Sequence, residues 1–229
     1  MQQVIKVIIP AYNEQNSIGK VIQDIPASWV QEVVVVNNNS SDHTVKHAQE
    51  AGATVLQEPR QGYGFACLRG IEYVSQQPEP PDIVVFMDAD YSDHPEELPQ
   101  VVAPIIEDNA DLVIGSRALG KRERGSMTFP QRFGNWLATR LLRWLYGAHF
   151  TDLGPFRAIR YKALTQLEMK DQTYGWTVEM QLKAAKLGLR CTEVPVSYRQ
   201  RIGVSKVSGT VKGTILAGYK IIWTIVKYL

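Results

Sequence analysis

The stretch DIVVFMDAD (residues 82–90) decides how this chain of 229 residues folds. Five consecutive apolar residues, 83–87, are followed by Asp88 and Asp90. An uninterrupted apolar run of this kind is typical of a strand that is buried on both faces of a parallel sheet. Ligands of such sheets bind beyond the carboxyl ends of the strands, so we expect both aspartates at the ligand-binding edge.

Similar apolar runs alternate with helical patterns on both sides of this stretch. The alternation predicts an α/β fold, with a mostly parallel sheet flanked by helices in a single domain. The predicted strands are residues 4–9, 32–37, 53–57, 82–87, 111–116 and 190–201. The predicted helices are residues 17–25, 42–51, 63–75, 95–107, 132–146 and 176–187.

The composition is that of a globular protein, with 45% hydrophobic and 21% charged residues. This excludes general disorder, and a net charge of +2 argues against nucleic acid as a partner. No apolar run approaches the roughly 20 residues of a membrane span, and residues 1–14 lack a signal-peptide pattern. Cys67 and Cys191 have apolar neighbours, which predicts buried, reduced thiols and a cytoplasmic protein.

Asp88 and Asp90 are candidate metal ligands. Two carboxylates one residue apart can share Mg²⁺ or Mn²⁺, which binds few carboxylates together with substrate phosphate oxygens. The cation would neutralise the charge that develops on a leaving diphosphate. The alternative is an acidic turn that caps the helix starting at Pro95.

Three other strand ends carry polar turns. In 10–14, Tyr12 offers an aromatic face for a nucleobase and Glu14 a carboxylate for ribose, unless the turn only caps a helix. In 37–42, the amide of Asn38 complements uracil better than guanine, although a tight polar turn is the alternative. In 60–64, two glycines allow close backbone approach and Arg60 could meet a phosphate.

Taken together, these segments resemble the family 2 glycosyltransferases of GT-A fold. The resemblance is greatest to polyprenyl-phosphate sugar transferases of the dolichyl-phosphate mannose or glucose synthase type, and it covers nearly the whole chain. It is carried by IIPAYNE, the turns at 37–42 and 60–64, MDADYSDHPEELP, VIGSRALG, TDLGPFRAIR and VPVSYRQRIGVSKVSGT.

The resemblance implies a role for each matched residue. Residues expected to act at the reacting groups are Asp90, Arg117 and Arg201. From this resemblance and from the turns described above, the residues expected to contact the nucleotide and its phosphates are Pro10, Tyr12, Glu14, Asn38, Arg60, Asp88 and Lys206. Arg132 and Asn135 lie near the family's acceptor-phosphate contacts. Ser92 stands where mannose synthases often place a glutamine ligand, so the third metal ligand is open, with Asp93 as an alternative.

The expected acceptor is inferred from the lack of a recognisable catalytic base in the sequence. The Q-x-x-R-W element of processive family 2 enzymes is absent, and a phosphate acceptor needs no base because it is largely dianionic at pH 7. The loop 117–132 is rich in basic residues, and we expect it to be mobile and to position that phosphate. If the acceptor were a hydroxyl, Asp152 and Glu179 would be candidate bases, unless they are structural partners, for example of Arg157.

The C-terminal segment 211–229 is predicted to be an amphipathic helix that follows a transferase domain of residues 1–210. Lys212, Lys220 and Lys227 fall on one helical face and apolar residues cover the rest. This pattern favours a helix that lies in a membrane interface. The alternative is a helix packed on the domain.

The sequence thus predicts an inverting, metal-dependent transferase peripheral to the cytoplasmic membrane face. It would move a sugar from a UDP-linked donor, in preference to a GDP-linked one, to a polyprenyl phosphate. Two alternatives remain: a family 2 transferase acting on a sugar or protein hydroxyl, and a catalytically silent nucleotide-binding subunit of a membrane assembly.

Overall fold

The computed structural model describes residues 3–203 and 211–229 of the chain. The strands of this part form one sheet: β1 (Ile5–Ala11), β2 (Glu32–Asn37), β3 (Thr54–Gln57), β4 (Ile83–Phe86), β5 (Leu112–Ser116), β6 (Arg157–Arg160) and β7 (Cys191–Pro195). The helices are α1 (Ile18–Asp24), α2 (Thr44–Glu50), α3 (Tyr63–Ser75), α4 (Leu98–Ile106), α5 (Phe129–Tyr146), α6 (Tyr161–Leu167), α7 (Trp176–Lys186) and α8 (Val211–Lys227).

The sheet is mostly parallel, as predicted. Its order is β3-β2-β1-β4-β6-β5-β7, and β6 alone among these strands runs antiparallel to its neighbours β4 and β5. Neither β6 nor α6 was predicted. The four residues of β6 begin and end with arginine, so the apolar run that identifies the other central strands is missing.

The central strands are continuous apolar runs because both faces of the sheet are covered. Ile8 packs with Val34 and Phe86 in one core, whereas Val7 and Ile9 on the opposite face of β1 belong to a second core. Every residue of β1 and of β4 is buried. The strand ends therefore emerge from a rigid support, and polar residues after them are held at fixed places.

Two helix starts differ from the prediction. Residues Pro95–Glu97 form a 3₁₀ turn before α4 begins at Leu98. Helix α5 begins at Phe129 because Thr128 and Gln131 form a capping box and Pro130 is tolerated in the first turn. Arg132 thus lies on a helix and not in a loop.

The basic loop before α5 is attached to the rest of the domain near Lys121 and Glu123. Its backbone pairs with the segment after β7: Tyr198 N–H donates to Lys121 O (2.8 Å) and Glu123 N–H donates to Tyr198 O (2.8 Å). The carboxylate of Glu123 also accepts from Gln200 N–H (2.8 Å). The basic side chains of the loop are therefore presented from an anchored backbone.

Helix α8 packs on α5 and α7. Ile225 is fully buried in the core, and Tyr146 donates its hydroxyl hydrogen to Ile225 O (2.6 Å). The predicted lysine face is wrong for Lys220, which turns toward the domain and pairs with Asp171. The exposed large apolar residues of α8 and of the chain end after it are Ile215, Leu216, Tyr219, Ile222, Trp223, Val226 and Leu229, and Lys227 is exposed beside them. Among the described residues, none of the helices combines the length and apolar character needed to cross a bilayer.

Candidate active site

A cavity of about 470 Å³ opens at the carboxyl ends of β1, β2 and β4, and we call it the strand-end cavity. This is the sheet edge that the sequence predicted. Seven predicted site residues line it: Pro10, Tyr12, Glu14, Asn38, Asp88, Asp90 and Arg201. Residues far apart in sequence therefore converge because their strands are neighbours in one sheet.

Asp90 is buried and held in place by its neighbours. One carboxylate oxygen accepts from the backbone N–H of Ser92 (2.9 Å) and from its hydroxyl, and the other lies 3.1 Å from Arg201. Arg201 also lies 3.2 Å from Glu14, so its guanidinium bridges the ends of β1 and β4. Ser92 thus orients Asp90.

Asp88 and Asp93 bring further negative charge to the same place. Burial, and then the charge of Asp90, raise the pKa of Asp88 to about 7. Both carboxylate oxygens of Asp93 are buried without a hydrogen-bond partner among the described residues. Burial and the charges of Asp88 and Asp90 raise the pKa of Asp93 well above its usual range. A cation held by Asp88 and Asp90 would relieve the repulsion between these two carboxylates.

The oxygen-only donor set fits a hard divalent cation such as Mg²⁺ or Mn²⁺. In the described ranges, no group of three or more His, Cys, Asp or Glu side chains is placed so that it could hold a metal ion together. Mg²⁺ and Mn²⁺ do not need such a group, because they take a few carboxylates and fill the remaining positions with substrate phosphate oxygens and water. The residues present are therefore compatible with the predicted cofactor.

The turns after β1 and β2 are tied to each other. Asn13 adopts a φ of +54°, its N–H donates to the Ser40 hydroxyl (2.9 Å), and its Oδ1 accepts from Ser41 N–H (2.8 Å). Asparagine tolerates this left-handed conformation better than most residues. Next to it, Glu14 is buried and accepts from the Ser17 hydroxyl (2.9 Å). The carboxylate is thereby fixed toward the cavity beside the exposed ring of Tyr12.

Asn38 lines the cavity, but its amide is already engaged. Its Nδ2 donates to Glu58 O (3.1 Å) and Arg60 O (2.7 Å), and its Oδ1 accepts from Gly62 N–H (2.8 Å). These bonds use both amide hydrogens, so the amide holds the following turn and has no donor left for a base edge. The expectation that Asn38 reads uracil with its amide is therefore corrected.

Arg60 is also placed differently from the expectation. Its guanidinium pairs with Glu58 at 2.8 Å and lies over the ring of Phe65, 4.5 Å from the centroid. It is not among the residues that line the strand-end cavity. An arginine directly after a strand is equally suited to pair with a nearby carboxylate, and Glu58 two residues earlier provides one.

Arg117 is largely buried and is not among the residues that line the strand-end cavity. Its Nε and Nη2 donate to the two oxygens of Asp152 at 2.8 and 2.7 Å, and its guanidinium lies 5.0 Å from the ring centroid of Tyr198. Burial alone would raise the pKa of Asp152, but the charge and hydrogen bonds of Arg117 outweigh it and lower that pKa. Asp152 is thus a structural partner of Arg117, not of Arg157, and is poorly suited to be a general base.

Glu179, the other candidate base, is structural as well. It is fully buried and accepts from Asp171 N–H (2.7 Å), the Tyr228 hydroxyl (2.6 Å) and Lys183 (2.8 Å). Burial opposes ionisation, but these hydrogen bonds lower the pKa of Glu179 below its usual value. Its carboxylate joins α7 to the segment before it and to the C-terminal end of the chain.

A second cavity of about 320 Å³ lies between the basic loop and α5, and we call it the arginine cavity. Arg122, Arg132 and Asn135 line it, together with Trp136. Asn135 donates to Thr151 O (3.0 Å) and accepts from Leu153 N–H (2.8 Å). Asn135 therefore fixes the wall of this cavity, while Arg132 contributes charge.

Sequence reasoning missed Thr173 and Tyr174, which line the strand-end cavity from the segment before α7. It also missed Arg199, which holds the turn after Asp90 by donating to Tyr91 O (2.7 Å) and Asp93 O (3.1 Å). Nothing in the local pattern around Thr173 and Tyr174 marks them. Lys206 lies outside the described residues.

Comparison with known proteins agrees with this geometry. The sequence profile of the family described as Glycosyl transferase family 2 matches residues 6–167. The chain is 35% identical to a dolichyl-phosphate hexose transferase of Haloferax volcanii, across 88% of this chain and 85% of that protein. It is 31% identical to an undecaprenyl-phosphate mannosyltransferase of Micrococcus luteus, across 90% of this chain and 88% of that protein.

A solved structure shows the same architecture. It is glucosyl-3-phosphoglycerate synthase of Mycobacterium tuberculosis in complex with Mn²⁺, UDP and glucosyl-3-phosphoglycerate. The TM-score is 0.78 at 25% identity, and the match covers 99% of this chain and 80% of that one. The predicted GT-A fold is thus confirmed, and this chain belongs to glycosyl transferase family 2.

Proposed function

We propose that this glycosyltransferase moves a hexose from a UDP-sugar to a polyprenyl phosphate, with a divalent cation as cofactor. One observation carries the proposal: carboxylates line one cavity, arginines line a second, and the ion pair of Arg117 with Asp152 relates the two, because Asp152 lines the second cavity and the charge of Arg117 lowers the pKa of Asp88 in the first. The two candidate general bases, Asp152 and Glu179, are both engaged in structural contacts. The Mn²⁺ and UDP in the similar structure support the donor and the cofactor. The two polyprenyl-phosphate relatives support the acceptor.

The donor is proposed to bind in the strand-end cavity. Tyr12 would stack on the base, Glu14 would accept from ribose hydroxyls, and Arg201 would stabilise the diphosphate. Asp88 and Asp90 would hold Mg²⁺ or Mn²⁺, which supplies positive charge for the diphosphate as it leaves. Lys206 is expected to assist Arg201, as the family resemblance implies.

The acceptor phosphate is proposed to bind in the arginine cavity, near Arg122 and Arg132. One of its oxygens attacks the anomeric carbon, and the bond from that carbon to the β-phosphate oxygen of UDP breaks on the opposite side. The configuration at the anomeric carbon is inverted and UDP leaves. A dianionic phosphate carries no proton that must be removed, which agrees with the structural use of Asp152 and Glu179.

The lipid part of the acceptor suggests where the protein works. Helix α5 exposes Phe129, Phe133, Trp136 and Trp144, and carries Arg140 and Arg143 among them. Its neighbour α8 exposes a further apolar face. Aromatic and apolar side chains interleaved with arginines suit the interface of an anionic bilayer. We propose that α5 and residues 211–229 contact the cytoplasmic face of the membrane. In this proposal residues 1–210 form the transferase domain, and residues 211–229 form the helix that follows it.

The test is an acceptor comparison with the purified chain, Mn²⁺ and radiolabelled UDP-glucose, UDP-galactose and GDP-mannose. Polyprenyl phosphate should yield a labelled lipid, whereas the matched polyprenol, which lacks only the phosphate, should yield none. Transfer to polyprenol at a comparable rate would contradict the phosphate acceptor. Transfer from GDP-mannose alone would contradict the UDP donor.

A small phosphorylated acceptor is the second candidate, because the similar structure holds a glucosyl-3-phosphoglycerate product. An arginine-lined cavity is compatible with either kind of phosphate. The same assay therefore includes 3-phosphoglycerate as an acceptor. A labelled water-soluble product in place of a labelled lipid would favour the second candidate over the first.

A further inference from the structure

The segment 170–175, which we call the wall loop, forms one side of the strand-end cavity through Thr173 and Tyr174. Its inner side packs directly on the start of α3. Phe65 N–H donates to Gln172 O (3.0 Å), and a Cβ added to Gly64 would overlap the backbone of Asp171. Glycine is required at this position because the two backbones touch. The wall loop is thus in direct contact with the glycine turn on that side of the cavity.

The outer side of the wall loop is held by the C-terminal helix. Lys220 Nζ of α8 lies 3.1 Å from Asp171 Oδ2. The other oxygen, Asp171 Oδ1, accepts from Thr173 N–H (2.8 Å) and Gly175 N–H (3.0 Å). One carboxylate therefore connects α8 to the backbone that presents Thr173 and Tyr174.

The ion pair between Asp171 and Lys220 lies in a closely packed environment. The side chain of Asp171 is only 7% exposed and that of Lys220 is 34% exposed. A Cβ added to Gly175 would overlap both Asp171 and Thr224 of α8. The helix and the wall loop are packed together here, and Lys220 provides the positive charge next to a buried carboxylate.

We propose that Asp171 and Lys220 are positioning residues for the donor: Lys220 fixes the carboxylate of Asp171, and Asp171 fixes the wall loop against the bound nucleotide. This inference rests on the proposal that the strand-end cavity binds the donor. Without Lys220, the carboxylate of Asp171 would stay buried without its cation, and would recruit water or turn outward. The wall loop would then lose the two hydrogen bonds that set its shape. The helix proposed for the membrane thereby becomes part of the donor site.

The test compares two lysines of the same helix. Lys220→Met removes the charge next to Asp171, whereas Lys227→Met removes an exposed charge from α8. Binding of UDP with Mn²⁺ is measured by calorimetry without lipid, and KM for the UDP-sugar and kcat are measured separately. We expect Lys220→Met to weaken UDP binding and raise KM by roughly three- to tenfold, as for a partly buried ion pair, with kcat little changed. Lys227→Met and the conservative Lys220→Arg should stay within about twofold of the unmutated protein.

A double-mutant cycle separates positioning from general destabilisation. Asp171→Asn should raise KM like Lys220→Met, and the double variant should be no worse than either single one, because both changes remove one interaction. Additive effects, or equal UDP affinity for Lys220→Met and Lys227→Met, would overturn the inference. If Lys220→Met does not fold, Asp171→Asn alone decides by the same comparison of KM with kcat. If the unmutated chain binds neither UDP nor GDP, the donor site itself is wrong.

Discussion

The strand-end cavity and the arginine cavity are built in different ways. The strand-end cavity is made largely by turns that follow β1, β2 and β4, which carry Tyr12, Glu14, Asn38, Asp88 and Asp90, and it is completed by Arg201 and the wall loop. The arginine cavity is formed by the basic loop, α5 and the segment before β6, which are separated in sequence and brought together by the fold. The first site is fixed mainly by the sheet, with support from side-chain bonds such as those of Asn38, whereas the second depends mainly on side-chain bonds such as those of Asn135. Loss of one contact should therefore affect the two cavities differently.

The largest effect is expected at the carboxylate cluster. Asp90→Asn removes a negative charge from the proposed metal site but keeps an oxygen for Ser92, so the fold should survive. We expect kcat to fall on the order of 10²–10³, as for other groups that stabilise charge in the transition state. Steady-state kinetics with saturating Mn²⁺ measure it. Glu107→Gln, at an exposed carboxylate on the end of α4, is the control. Turnover near that of the unmutated protein, in Asp90→Asn with a chelator present, would show that the cluster holds no essential metal.

A smaller effect is expected on the side of the molecule proposed to face lipid. Phe129 is 77% exposed and Trp144 is 80% exposed, so Phe129→Ser together with Trp144→Ser should cost little folding stability. Full burial of such a ring contributes about 1.5–3 kcal/mol and partial insertion at an interface contributes less, so partition of the double variant onto anionic vesicles should fall by at least about tenfold. Vesicle sedimentation measures it. Trp29→Ser changes an exposed tryptophan outside α5 and α8, and should leave vesicle binding unchanged. Equal losses in both variants would remove the case for a membrane face on α5.

Asn38 tests how the strand-end cavity is supported. Asn38→Asp replaces two hydrogen donors with an acceptor that faces the carbonyl oxygens of Glu58 and Arg60. A lost pair of this kind costs about 1–3 kcal/mol, and part of this cost should appear as roughly three- to tenfold weaker nucleotide binding. UDP and GDP should weaken alike, as measured by calorimetry. Asn39→Asp, in the exposed part of the same turn, is the control. A shift of preference from UDP to GDP would instead show that Asn38 reads the base.

The smallest effect concerns pH. Because the pKa of Asp88 is raised to about 7, the folded, metal-free protein keeps a proton on this group that the unfolded chain releases near its ordinary value. Stability without metal should therefore decrease as pH rises from about 4 to about 7. Mn²⁺ displaces this proton, so its affinity should increase about threefold between about pH 6.5 and pH 7.5 and then level off. Calorimetric titrations at several pH values measure it. Asp88→Asn should remove the dependence, and a pH-independent affinity in the unmutated chain would contradict it.

The sequence was most informative where chemistry directly follows a strand. The run before Asp88 predicted both β4 and the place of the carboxylates, because burial on two faces leaves an uninterrupted apolar pattern. It was least informative where residues act through tertiary contacts. The amide of Asn38 and the guanidinium of Arg60 are taken up by neighbouring groups that local spacing does not reveal. Strand β6 was missed because its arginines interrupt the apolar pattern, although Arg157 is buried through hydrogen bonds to carbonyl oxygens.

Because β6 runs antiparallel to β5, the segment between these two strands can be exchanged without changing the sheet. Since β5 and β6 pair antiparallel, with Ile114 opposite Arg157, the intervening chain leaves and re-enters the sheet at the same edge. The segment between them carries the basic loop, α5 and Asp152, whereas Asp88 and Asp90 follow β4, which lies on the other side of β6. An exchange of residues 117–156 between relatives would leave every strand pair of the sheet intact. Such chimeras would be expected to change what receives the sugar while keeping what donates it, a route by which one scaffold can diversify its products.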